Sequence, residues 1–229
     1  MERAAPTDHR RRRELLVTLL AVLSGATDAV GFLALGGAFT SVMTGNMVLL
    51  GLSAGTRDAD LAWHAGAAIV SFAAGVALGA RLAGAPRPDD GLWPRAVTRA
   101  LTVELALFTV FAVAWQIAGG KPSAELTQVL LLALTAVALG LQSGAILRFG
   151  VPGLSTTYLT GTLTTAVTAL VRGRPLGHVA QQGRLLAGVI AGAAAGGVLV
   201  TEAPRLAPLL QLALLAAVLA GARGVVRAG

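Results

Sequence analysis

Asp28 and Glu104 are the two carboxylates set well inside long apolar runs of this chain. An acid in such surroundings binds a cation, carries a proton or pairs with a buried base. Glu104 stands about seven residues into its run, and Arg184 stands at a similar depth in another. The two are expected to form a structural ion pair, with Arg184 snorkelling to the interface as the alternative. Two polar interruptions complete the chemistry-bearing set: Thr44-Gly45-Asn46 and, more than a hundred residues later, Thr160-Gly161-Thr162. Gly permits a turn or a close backbone approach. Thr and Asn can cap the exposed N–H groups of a starting helix.

The elements that position these residues follow from composition. The chain has 229 residues, 55% hydrophobic and 13% charged, with a mean hydropathy of +0.74. Soluble domains carry about 25% charge, so the surroundings here are lipid. Residues 15–36, 61–83, 97–119, 126–148, 179–200 and 206–226 are each long enough for a membrane-crossing helix, which takes about 20 residues. A basic head before an apolar body also resembles a signal peptide, but the apolar pattern runs on to Leu35, too far for one. Residues 1–12 are expected to form a disordered cytoplasmic tail.

Several function classes drop out. With no Cys, there is no thiol chemistry and no Cys-based metal site. The net charge of +7 comes largely from Arg residues at the ends of apolar segments, a membrane-topology pattern and not a nucleic-acid surface. His64 and His178 begin corresponding helices on opposite faces, so they cannot share an ion and no metal or other cofactor is expected. There is no nucleophile elbow, phosphate-binding loop or close pair of carboxylates, which argues against an enzyme.

The chain also repeats itself. Gly25 corresponds to Gly140 at an offset of 115 residues, Thr44-Gly45 to Thr160-Gly161 at 116, and Gly75 and Gly79 to Gly192 and Gly196 at 117. Gln142 and Ser143 fall near the counterpart of Asp28, which places polar groups at one depth in both halves. Residues 13–120 form the first repeat and 121–229 the second, within one membrane domain.

Charge decides how the Thr-Gly segments run. If both turn back within the membrane, six crossings place 15 of the basic residues on the cytoplasmic side and 3 outside. If both cross, eight crossings give 12 and 6. The positive-inside rule favours six. The expected fold is therefore an all-α membrane protein of six transmembrane helices plus two re-entrant Thr-Gly segments, arranged as two inverted three-helix repeats with both termini cytoplasmic. Gly37 to Gly55 is 19 residues, so a single straight crossing is the alternative. The Gly75-x-x-x-Gly79 and Gly188-x-x-x-Gly192-x-x-x-Gly196 faces suit close helix packing, within the chain or in a homo-oligomer.

The segments SGATDAVGFLALGGAFTSVMTGNMVLLGL and LGLQSGAILRFGVPGLSTTYLTGTLTTAVTAL resemble the YoaK-like family of bacterial inner-membrane proteins of unknown function. The resemblance spans about residues 14–226 and is carried by Gly25 to Asp28, Met43 to Asn46 and Thr160 to Thr162. It implies a six-helix protein and brings no activity with it.

Function therefore rests on the residues. Half-helices entering from opposite faces direct their positive N-terminal ends to the midplane, an arrangement used for substrate or ion sites. A small-solute or ion transporter or channel is the leading expectation, its pathway lined by Asp28, Thr44, Gly45, Asn46, Gln142, Ser143, Thr160, Gly161 and Thr162. A structural or assembly protein is the alternative, and a membrane-embedded enzyme the weakest. Asp28, about 14 residues into its helix, lies ~20 Å from the cytoplasmic edge. There it either exchanges protons and binds a cation, or hydrogen-bonds unwound backbone near Thr44.

Overall fold

The computed structural model describes residues 6–88, 90–150 and 159–226. Among them are eight α-helices: α1 (Pro6–Ala34), α2 (Met43–Thr56), α3 (Ala59–Ala83), α4 (Arg95–Ile117), α5 (Glu125–Ile146), α6 (Leu159–Val171), α7 (Leu176–Glu202) and α8 (Ala207–Val226). Six contain spans long and apolar enough to cross a membrane, at His9–Ala34, Ala59–Ala83, Arg95–Ile117, Glu125–Phe149, Val179–Glu202 and Pro204–Val225. The six apolar runs of the sequence are thus the six long helices. At 14 residues, α2 extends only about 20 Å, short of a hydrocarbon core of about 30 Å; the described part of α6 is 13 residues.

Local chemistry sets the boundaries. Asp58 caps α3 by accepting a hydrogen bond from the Leu61 N–H at 3.0 Å, and Gly84, at φ 70°, ends it. Pro94 precedes α4, where its missing N–H costs no helical bond. Gly119 and Gly120 then take the left-handed region that closes the turn into α5.

One boundary departs from expectation. Helix α1 begins at Pro6, inside the stretch 1–12 expected to be a disordered tail; residues 1–5 lie outside the described residues. The extension is held by Glu14, which meets Arg10 one turn earlier at 3.4 Å and Arg184 of α7 at 2.7 Å. An i,i+4 pair and a cross-helix anchor favour continuing the helix beyond the apolar run.

Helices α1 and α5 form the centre: 67% and 72% of their apolar windows are buried within the protein, against 22% to 39% for the other four spans. Helix α1 packs on α7 and α8, and α5 packs on α3 and α4. Helix α4 touches α8, α2 lies on α3, and α6 lies on α7. Exchanging α1–α4 with α5–α8 turns each of these contacts into another of the set, and the α4–α8 contact into itself.

The principal interfaces are glycine contacts. On α3, Gly75 and Gly79 abut the backbone of Val137 and Leu141 of α5, and Gly140 and Gly144 of α5 abut Phe72 and Val76 in return. On α7, Gly192 and Gly196 abut Val22 and Ala26 of α1, while Gly25 of α1 abuts Val189. A β-carbon at any of these positions would collide with a neighbouring carbonyl or backbone atom. The Gly-x-x-x-Gly faces therefore serve packing within the chain. Such contacts matter in lipid, where dispersion and close backbone approach replace the hydrophobic drive between helices.

Candidate functional site

Helix α1 ends at Ala34, and Gly36 and Gly37 take positive φ angles of 84° and 75° to reverse the chain. The strand of loop that follows runs back along α1 until Thr40 and Ser41 stand level with Asp28. That is six residues below the helix end, or about 9 Å of descent. Phe39 stacks on Phe32 with ring centroids 4.9 Å apart, which fixes the descending loop against α1.

Asp28 binds the loop at its lowest point. Its Oδ1 accepts the Thr40 N–H at 2.8 Å, the Thr40 hydroxyl at 2.9 Å and the Ser41 N–H at 2.7 Å. Its Oδ2 accepts the Ser41 hydroxyl at 2.6 Å. Asp28, Thr40 and Ser41 are all buried. Of the two roles open to Asp28, hydrogen bonding to unwound backbone is the one its geometry displays, although the partners are Thr40 and Ser41 and not Thr44. The sequence held a signal for this, a pair of small hydroxyl residues between a Gly-Gly turn and a helix start.

Asn46 locks the same loop from the other side. Its Oδ1 accepts the Phe39 N–H at 2.9 Å and its Nδ2 donates to the Phe39 carbonyl at 2.7 Å. The side chain is fully buried, and it makes the two bonds a neighbouring strand would make. Gly45 packs against Phe39 and Val42. Helix α2 then starts after Val42 with no side-chain cap and climbs away from the tip.

The tips of α2 and α6 share one cleft of about 760 Å³. Ser41 of the loop and Met43 and Thr44 of α2 line it on one side, and Thr160, Gly161, Thr164 and Thr165 of α6 on the other. Its floor includes Phe72, which lies midway along α3, so the cleft sits at about half the height of the helices. The N-terminal end of α2, with its partial positive charge, and five hydroxyl side chains from the two segments thus meet at one space. Thr164, Thr165 and Phe72 were not singled out in the sequence, because only the packing of α6 on α7 brings them here. Tyr158, which precedes the second Thr-Gly pair, lies outside the described residues.

The remaining expected pathway residues stand apart from the cleft. Gln142 of α5 is buried against α1, donating to the Ser24 hydroxyl at 3.2 Å. Ser143 donates to the Leu139 carbonyl at 2.8 Å. Thr162 is buried behind the α6 tip.

The expected ion pair between Glu104 and Arg184 does not form. Arg184 donates to Glu14 of α1 at 2.7 Å and to Gln181 at 3.0 Å. Glu104 is fully buried on α4, and neither carboxylate oxygen has a hydrogen-bond partner among the described residues. The reason is helix neighbourhood: α7 packs on α1, whereas α4 packs on α5 and α8. His64 is buried, with Nδ1 2.7 Å from the Asp60 carbonyl; the side chain of His178 lies outside the described residues. Trp93 is buried and meets the Phe149 ring edge-on at 5.1 Å.

Comparison with known proteins identifies a family. Residues 16–222 match the family described as "Protein of unknown function (DUF1275)". The chain belongs to that family. Among its relatives is the UPF0700 transmembrane protein YoaK of Bacillus subtilis (strain 168), 36% identical over 151 residues. The match covers 66% of this chain and 64% of that protein, so the chain spans less than two thirds of its relative's length. The YoaK-like resemblance and the membrane character both stand. No solved structure matches the chain.

Proposed function

We propose that this protein conducts a small solute or ion across a bacterial inner membrane, as a transporter or channel and not as an enzyme. Helices α2 and α6 are re-entrant half-helices, and α1–α4 and α5–α8 are inverted repeats with both termini cytoplasmic. The observation that carries this reading is the single cleft shared by Thr44 and Thr160 at mid-height. Non-helical backbone at membrane depth persists only where protein or water surrounds it, and a hydroxyl-lined cleft between two helix ends supplies both. Asp28, Asn46 and Ser41 hold the first tip, and Thr44, Gly45, Thr160 and Gly161 line or border the pathway. The outward side chains of α2 and α6, among them Met47, Val48, Leu163 and Val167, suit lipid or a second copy of the chain.

The test uses the absence of native Cys. Thr44→Cys and Thr160→Cys, made singly, should both react with a membrane-impermeant thiol reagent. If neither reacts while the exposed loop control Ser123→Cys does, the cleft is dry and the scaffold reading replaces the pathway. Ala85→Cys and Ser123→Cys should label from opposite sides of the membrane; same-side labelling would sink the inverted repeat.

A further inference from the structure

A second, smaller cavity lies at the end of the bundle where α1 and α4 begin and α5 ends. It encloses about 140 Å³ and is lined by Arg13, Arg87, Asp90, Pro94, Arg148 and Phe149, among others. The charges within it are unequal. Arg148 is committed: it grips Asp90 through two bonds of 2.8 and 2.7 Å and donates to the Ala83 carbonyl at 2.6 Å. Among the described residues, that pair leaves Arg13 and Arg87 as the excess positive charge.

Arg13 is the unusual member. It is 8% exposed, its guanidinium carbon sits 6.0 Å from the centre of the Phe149 ring, and its Nε has no partner. It makes no hydrogen bond or ion pair with any described residue. A buried Nε–H without an acceptor among the described residues is costly, and the planar fork of a guanidinium matches the oxygens of a phosphoryl group. The start of α4 adds to the field, since Pro94 offers no side-chain cap to its first N–H groups.

We propose that this cavity binds a phosphoryl group, with Arg13 as the main contact and Arg87 as the outer one. The group belongs either to a soluble phosphate or to a phospholipid headgroup, for which basic pockets between helices at the membrane surface are suited. Arg148 and Asp90 form the fixed wall, and the Asp90 carboxylate orients Arg148 and does not touch the ligand.

Thermal unfolding of the full chain in detergent, at constant ionic strength, reads this out. Inorganic phosphate forms one arm. Phosphatidylglycerol set against phosphatidylcholine forms the other. A midpoint raised by phosphate assigns a soluble anion, and one raised by phosphatidylglycerol alone assigns a lipid headgroup. In either case Arg13→Met should weaken the response at least tenfold in ligand concentration. Arg11→Gln, which removes the same charge from an exposed position, should leave it nearly intact. Arg13→Met should fold, because it removes a buried cation whose Nε has no partner among the described residues. Arg87→Gln, at an exposed site, supplies a second reading and should weaken the response by a smaller factor. The proposal is overturned if neither ligand shifts the native chain, or if Arg13→Met and Arg11→Gln respond alike.

Discussion

The Ser41 hydroxyl lies 2.6 Å from one oxygen of Asp28, and the Ser41 N–H lies 2.7 Å from the other. One carboxylate thereby holds both the backbone and the side chain of the residue just ahead of α2, thirteen positions later in sequence. Asp28→Ala should leave the Thr40 and Ser41 donors unpaired, at about 1–3 kcal/mol for each buried group left unsatisfied. A total loss of at least ~3 kcal/mol is expected in equilibrium unfolding in detergent. Asp28→Asn keeps an acceptor for Thr40 and should lose less. Equal stability of Asp28→Ala and the native chain would mean that the tip is held by something else.

Glu104 and Arg184 should behave as strangers. A double-mutant cycle between them is expected to be additive within about 0.5 kcal/mol. The cycle between Glu14 and Arg184 should show coupling, though only up to about 1 kcal/mol, because the Arg184 side chain is 41% exposed and water screens the pair. Glu104→Leu removes a buried carboxyl that has no hydrogen-bond partner among the described residues and should raise the unfolding midpoint. A large loss on that change would reveal a partner for Glu104.

The glycine interfaces make a paired prediction. Gly79→Ala and Gly192→Ala drive a β-carbon into the carbonyls of Leu141 and Val22 and should each cost about 1–3 kcal/mol through overpacking. Gly66→Ala, in the same helix as Gly79 but with open space around it, should stabilise by up to about 1 kcal/mol from helix propensity. Thermal midpoints of the three variants test the contrast directly.

Acid should loosen the Arg148 clamp. The hydrogen-bonded guanidinium of Arg148 holds the Asp90 carboxyl below its ordinary value of 3.8. A carboxyl lowered by folding contributes stability that is complete above its unfolded value and is lost as pH falls through its folded one. The stability difference between the native chain and Asp90→Asn should therefore be constant near neutrality and shrink as pH drops below 3.8. A difference unchanged down to the acid limit would remove Asp90 from the clamp.

What the sequence determined by itself is whatever depends on local composition. The six long helices follow from six apolar runs, because a bilayer-length helix needs only its own residues to satisfy its backbone. The close faces at Gly75, Gly79, Gly192 and Gly196 were equally legible, since a small residue every fourth position marks one side of a helix whatever it meets. Which partner each polar side chain takes was decided only in three dimensions. Arg184 lies 170 residues from Glu14 and 80 from Glu104, and of these two acids only Glu104 lies well inside an apolar run, so hydropathy favours the pairing that does not form. The choice is made by α7 packing on α1 and not on α4, a matter of helix order and rotation. The same holds for Asp28: its depth could be counted along α1, but that Thr40 and Ser41 would be the residues to reach it depended on where the loop after Gly37 stopped descending.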